Sequence, residues 1–224
     1  MRLYPRQQTL LKLIYLETEN MTQYDKDVIE SWRLGFKSKK EPAGVQEDIW
    51  ERVAYLKGMG YTHFPHIQGV QGRRASKGTV GGILGAERMA YMIALDDPQS
   101  YFGIADGKDL MLSVVATNSN QAKKFLFADI RQTVEQNKWM NQYISTSTEY
   151  YINLRTPSDK RRIADLRARK VPIQREIATI RAMAMSSTSS SGRGGTGFVN
   201  MYDELAHILS GTGSDRTGEN IYSA

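Results

Sequence analysis

The stretch Gly72-Arg73-Arg74-Ala75-Ser76-Lys77-Gly78-Thr79 lies between an apolar, aromatic run, Tyr61 to Val70, and a Gly/Ala-rich segment, Thr79 to Leu95. The run reads as a strand and the segment as a helix. A strand, a small-residue loop holding a lysine, and a helix make the layout of a phosphate-binding loop. Small residues let backbone N–H groups turn inward around an anion, the helix N-terminus adds partial positive charge, and the lysine adds a full one. The pattern G-x-x-x-x-G-K-[ST] is met imperfectly. With Lys77 as the phosphate lysine, Gln71 stands at the first glycine, Ser76 at the second and Gly78 at the magnesium-binding hydroxyl. Thr79, one residue later, is the nearest hydroxyl on the helix side. A basic, glycine-containing surface loop meets the same pattern, so the stretch needs support from elsewhere.

That support lies far downstream. Phe198-Val199-Asn200-Met201-Tyr202-Asp203-Glu204 is a short run with apolar residues that ends in paired carboxylates. In P-loop ATPases a buried strand ends in such a pair, the first holding the Mg²⁺ shell and the second polarising the attacking water. The same two acids also suit the start of a helix, where the dipole favours negative charge, and Leu205 to Leu209 has helical character. Both roles are compatible.

The 224 residues suffice for an α/β domain with a proper core, and 40% apolar with 24% charged residues is the balance of a folded globular chain. With no cysteine, a disulfide framework and Cys-ligated zinc are excluded. The three histidines, His63, His66 and His207, are too scattered for a metal site. No run of about 18 apolar residues is present, so no membrane span is expected. The formal charge of +6 allows a nucleic-acid partner without requiring one.

Along the chain, residues 7–36 carry helical spacing in two parts, broken at Asn20-Met21-Thr22, and 37–42 form a charged linker. A helix is expected over Glu47 to Lys57. Leu110 to Ala116 reads as a buried strand, followed by a polar turn, Thr117 to Asn120, able to cap a helix over Gln121 to Asn137. Tyr150 to Leu154 and Glu176 to Met185 read as strands. Between them Thr156 to Lys170 is strongly basic; Asp159 and Asp165 interrupt the charge, which favours a solvated helix face over a phosphate contact. Ser186 to Gly197 is a Ser/Gly loop leading into the acidic strand, and Ser210 to Gly218 a second loop or an end. The fold expected is α/β and P-loop NTPase-like, with a mainly parallel central sheet flanked by helices. Its parts are an N-terminal helical segment, 1–43, and an ATPase domain, 44–224.

The chain resembles the ATPase domain of the large terminase subunit, the motor that packages DNA into tailed-phage capsids. Four stretches carry the resemblance: Gln46, the loop Gly72 to Thr79, Val114 to Ala122, and Ser190-Ser191-Gly192-Arg193-Gly194 through Tyr202-Asp203-Glu204. Together they span about residues 44 to 209. The resemblance implies ATP and Mg²⁺ as cofactors and translocation of double-stranded DNA as the function. Gln46 would contact adenine. Gly72, Arg73, Arg74, Ala75, Ser76, Lys77, Gly78 and Thr79 would cradle the phosphates. Asp203 and Thr79 would hold the metal, and Glu204 would activate water. Arg73 or Arg74 would sense the γ-phosphate, and Arg193 would reach a neighbouring subunit. Implied partners are the portal protein, the small terminase subunit and further copies in a ring, in the host cytoplasm during virus assembly. The family's coupling motif and nuclease domain have no counterpart here, which fits the N-terminal part of a longer motor. Two other functions meet the same sequence: a nucleotide- or DNA-binding assembly protein with a degenerate P-loop, and another P-loop ATPase such as a helicase fragment.

Overall fold

The structure, a computed structural model, describes residues 3–35, 48–67, 77–186 and 196–203. Gln46, residues 72–76, Arg193 and Glu204 lie outside the described residues, as do the 37–42 linker, most of the Ser/Gly loop and the tail. The chain divides into two compact units, Met1–Ala75 and Ser76–Ala224.

The first unit is helical. α1 (Pro5–Ile14) begins with proline, whose missing N–H costs nothing at that position, and Gln7 folds back to accept from the Tyr4 N–H at 2.9 Å. A 3₁₀ turn (Thr18–Asn20) separates it from α2 (Gln23–Gly35), at the break expected from Asn20-Met21-Thr22. α3 (Ile49–Gly58) starts at Asp48, which caps the Trp50 N–H at 2.8 Å. Leu13, Leu16, Ile29, Val53 and Leu56 form the core, with Trp32, Trp50 and Phe64 against it.

The strand expected over Tyr61 to Val70 is not formed in its described part, Tyr61 to Ile67. The physical reason is the end of α3. Gly60, at φ +81°, turns the chain, and the Tyr61 N–H closes back on the Leu56 carbonyl at 3.0 Å. The Phe64 N–H then donates to Ile14 O at 2.9 Å. The aromatic run thus completes a helical core rather than a sheet.

The second unit is α/β. Its elements are α4 (Lys77–Ala94), α5 (Pro98–Tyr101), β1 (Leu110–Ala116), α6 (Ser119–Lys124), α7 (Leu126–Gln136), α8 (Lys138–Asn141), β2 (Ile144–Ser147), β3 (Tyr151–Leu154), α9 (Pro157–Ala168), β4 (Ile180–Ser186) and β5 (Thr196–Tyr202). The five strands lie in the order β2-β3-β4-β1-β5. β1 pairs in parallel with β4, Leu110 opposite Ile180 through Ala116 opposite Ser186, and in parallel with β5 on its other side. β3 runs antiparallel to β4, and β2 antiparallel to β3. The sheet is therefore mixed, which corrects the expectation of a mainly parallel one. Only three residues join β2 to β3, and a parallel crossover needs a dozen or more.

Six of the seven β1 residues are buried, so both faces of this strand are covered, and Met89, Ile93, Phe127, Ile130 and Val134 belong to the same core. The single helix expected over Gln121 to Asn137 is two, α6 and α7, because Phe125 leaves helical geometry at φ −111°, ψ −98°. Asn118 caps α6 as anticipated, accepting from the Gln121 N–H at 2.8 Å. Among the described residues no helix is long and apolar enough to cross a membrane.

A carboxylate ties α1 to α2. Asp25, 4% exposed, accepts from Lys12 Nζ at 2.8 Å, Thr9 Oγ1 at 2.5 Å and the Thr22 N–H at 2.8 Å. The Lys12 ammonium, then the Thr9 hydroxyl, hold the Asp25 carboxyl well below the usual carboxylate range. A depressed acid stabilises the fold above its unfolded pKa and loses that contribution as pH falls through the folded one. Asp25→Asn is expected to cost about 2 kcal/mol near neutral pH, as a buried charge-assisted network does. In urea denaturation, the gap to wild type shrinks as pH drops below about 4. A gap that is constant with pH would show that the charge of Asp25 contributes nothing.

Candidate functional site

Two parallel ladders on β1 bring the carboxyl ends of β4, β1 and β5 to one edge. Open α/β sheets place their ligands at that edge. β5 ends there, and the Asp203 N–H donates to Val115 O at 2.9 Å, which fixes the residue just past the strand. Its side chain is 11% exposed, and Oδ1 lies 3.2 Å from Lys77 Nζ. Residues 126 positions apart in sequence therefore meet, one at the end of a strand and the other at the first turn of α4. Lys77 is half exposed, at 52%. The pair is worth less than about 1 kcal/mol, since the lysine end is solvated, and a ligand can separate it at small cost.

Around this pair the edge is polar. Thr117, just beyond β1, donates its hydroxyl to Gln121 Oε1 at 2.6 Å, and the Ser186 hydroxyl at the end of β4 lies 3.5 Å from Thr117 O. Thr79, in the first turn of α4, is partly buried. The carboxylate of Asp203 and the hydroxyl of Thr79 are oxygen donors, the kind a hard divalent cation takes.

Gly78 has a close neighbour. A Cβ built there would overlap Oδ2 of Asp129, the end of a side chain that reaches over from α7, so a larger residue requires that carboxylate to turn aside. The hydroxyl-bearing residue that the P-loop pattern requires after the lysine would meet this carboxylate. Sequence reasoning missed Asp129. Its only trace in the sequence is indirect: glycines at 78, 82 and 85 lie on one stripe of α4 and imply a close neighbour. Burial pushes the Asp129 carboxyl up, and no described side chain donates to it. Its negative charge faces the positive end of α4.

The glycine stripe brings α4 against α7 and, at Gly81 and Gly85, close to Met201 of β5 as well. A Cβ at Gly82 would stand 3.1 Å from the Asp129 backbone, and one at Gly85 2.8 Å from Ile130 Cδ1, with Met201 of β5 the nearest sheet residue, 3.3 Å from it.

Of the residues expected to form the site, Lys77, Gly78, Thr79 and Asp203 are described; Lys77 and Asp203 are brought into contact. Comparison of the sequence with protein-family models gave no match, and comparisons with curated proteins and with solved structures gave none either.

The α4–α7 contact sets where Lys77 sits, and it can be tested. Gly82→Val is expected to lower stability by about 2–3 kcal/mol, because the added carbons meet backbone that cannot move aside. Gly58→Ala, at the end of α3 with nothing within 4 Å of its Cβ, should leave stability unchanged or raise it by up to about 1 kcal/mol. Urea denaturation of both variants decides it. Equal effects would mean that α4 does not rest on α7 as described.

Proposed function

We propose that the chain is an ATP-hydrolysing motor domain of the large-terminase type, which drives double-stranded DNA into a capsid. The observation that carries this reading is the contact between Lys77 and Asp203. A phosphate-binding lysine and a metal-binding carboxylate must serve one nucleotide, and these two lie within 3.2 Å at the carboxyl edge of parallel strands.

In this reading the pair is the resting state of the site. On nucleotide binding, Lys77 turns to the β- and γ-phosphates, together with backbone N–H groups from Arg74 to Thr79. Asp203, freed of its ammonium, and the Thr79 hydroxyl would hold Mg²⁺, which would supply positive charge against the transferring phosphoryl group. Glu204, next in the chain, takes the proton of the attacking water. Gln46 reads adenine, Arg73 or Arg74 senses the γ-phosphate, and Arg193 serves a neighbouring subunit in a ring. The resemblance further implies the portal protein and the small terminase subunit as partners. Gly78 favours a second reading, a nucleotide-binding protein without turnover, since the usual metal-binding hydroxyl is absent from its position.

Glu204→Gln separates the two. The amide keeps the shape of the side chain but cannot accept the proton, so ATP hydrolysis should fall on the order of 10²-fold or more while binding of a fluorescent ATP analogue persists. Lys77→Ala should weaken binding itself. Wild-type turnover in Glu204→Gln would reduce Glu204 to a helix cap, a role whose loss costs only about 1 kcal/mol. Analogue binding without turnover by the wild type, measured on its portal, would favour the second reading.

A further inference from the structure

Residues 155–175 contain eight Lys and Arg and two Asp, so this segment alone carries an excess equal to the +6 of the whole chain. It comprises α9 and the first part of its connection to β4; Glu176, next in that connection, is taken up by Thr146 and Asn153. The two acids do little to offset it. Asp159 is buried, and its carboxylate is taken by the N–H groups of Thr156 and Thr179 and the Thr179 hydroxyl, at 2.8–2.9 Å. Asp165 pairs with Arg169, and Arg161 is held by Asp96 through two bonds. Arg162, Arg167 and Lys170 are exposed and have no carboxylate partner among the described residues. Every residue from Arg167 to Arg175 is exposed.

Both ends of this connection lie at the edge of the sheet opposite the Lys77–Asp203 pair. Leu154 pairs with Ile180, so the connection from β3 through α9 to β4 starts and ends at the amino edge of β4. Lys77 and Asp203 lie at the other edge, about 20 Å away along a seven-residue strand. α9 itself is 12 residues, about 18 Å long. Over that length a duplex presents a phosphate about every 1.7 Å of axis. Six of the eight cations are arginines, whose planar fork binds phosphate oxygens in pairs and sheds water more readily than an ammonium.

We propose that α9 and its connection to β4 form a contact surface for the phosphate backbone of double-stranded nucleic acid, without base readout. The surface would give the proposed motor a DNA contact, yet it rests on none of the nucleotide chemistry.

The test uses the full chain without nucleotide, and a fluorescently labelled mixed-sequence duplex of about 30 base pairs, followed by anisotropy between about 50 and 200 mM salt. The wild type should bind, with affinity falling linearly on a log–log plot. R162Q/R167Q/K170Q should bind at least tenfold more weakly at the lower salt, with a slope shallower by about 2.7, the value for three lost phosphate contacts. R162K/R167K, which keeps the charge, should retain the wild-type slope. Binding of the fluorescent ATP analogue should be the same in all three proteins, so failure at the Lys77 site and failure here are read separately. Absence of duplex binding by the wild type overturns the proposal, as does a wild-type slope in the Gln variant. Polyglutamate displacing the duplex at equal charge concentration would assign the surface to an acidic protein instead and also overturn it.

Discussion

Both hydrogen-bonding edges of Leu110–Ala116 are occupied by parallel partners, and the architecture of the second unit follows from that. Parallel neighbours cannot be joined by a tight turn, so the chain between β1 and β4 must travel, and it builds α6 to α9 and the β2–β3 hairpin on the way. Three strands that point the same way also end at the same edge. Asp203 is at that edge because β5 stops one residue before it, and Val115 O fixes the spot. The chemistry proposed for the site depends on that coincidence of strand ends more than on any loop.

The second requirement is that α4 start at the same edge. It does so by lying against α7 at glycine distance. Ordinary helices pack 8–10 Å apart because side chains hold them off. Here a single added Cβ at Gly82 would press on the Asp129 backbone. That closeness also brings the Asp129 carboxylate to Gly78, in the first turn of α4.

The sequence announced the elements whose signal is local. Leu110 to Ala116 is apolar enough to be a buried strand, Asn118 is a cap in the right place, and Thr79 to Leu95 lies almost entirely within α4. Elements decided by distant partners were not legible. Tyr61 to Ile67 has strand composition but is drawn onto helices by Phe64. β2, with the sequence Ile-Ser-Thr-Ser, has almost no apolar signal and exists because β3 lies beside it. Glu176 was expected inside a strand, yet its carboxylate accepts from Thr146 and Asn153, and the ladder of β4 begins only at Ile180. At the site, Lys77 and Asp203 could be named from motif chemistry. Asp129 could not, since its place depends on two helices touching.

α4 also shows which of its properties belong to itself and which to its surroundings. Its first turn contains no acid and its last no base, and the charges that flank it, Lys77 at the start and Asp96 after the end, both oppose the helix dipole. Four glycines, Gly78, Gly81, Gly82 and Gly85, lower its intrinsic propensity by about 1 kcal/mol each at interior positions. Each adverse charge is answered from outside, Lys77 by Asp203 and Asp96 by Arg161. α4 is thus a borrowed helix, whose order is on loan from the sheet and from α7. Amide exchange along it would follow the integrity of the whole unit rather than the fraying of an autonomous segment.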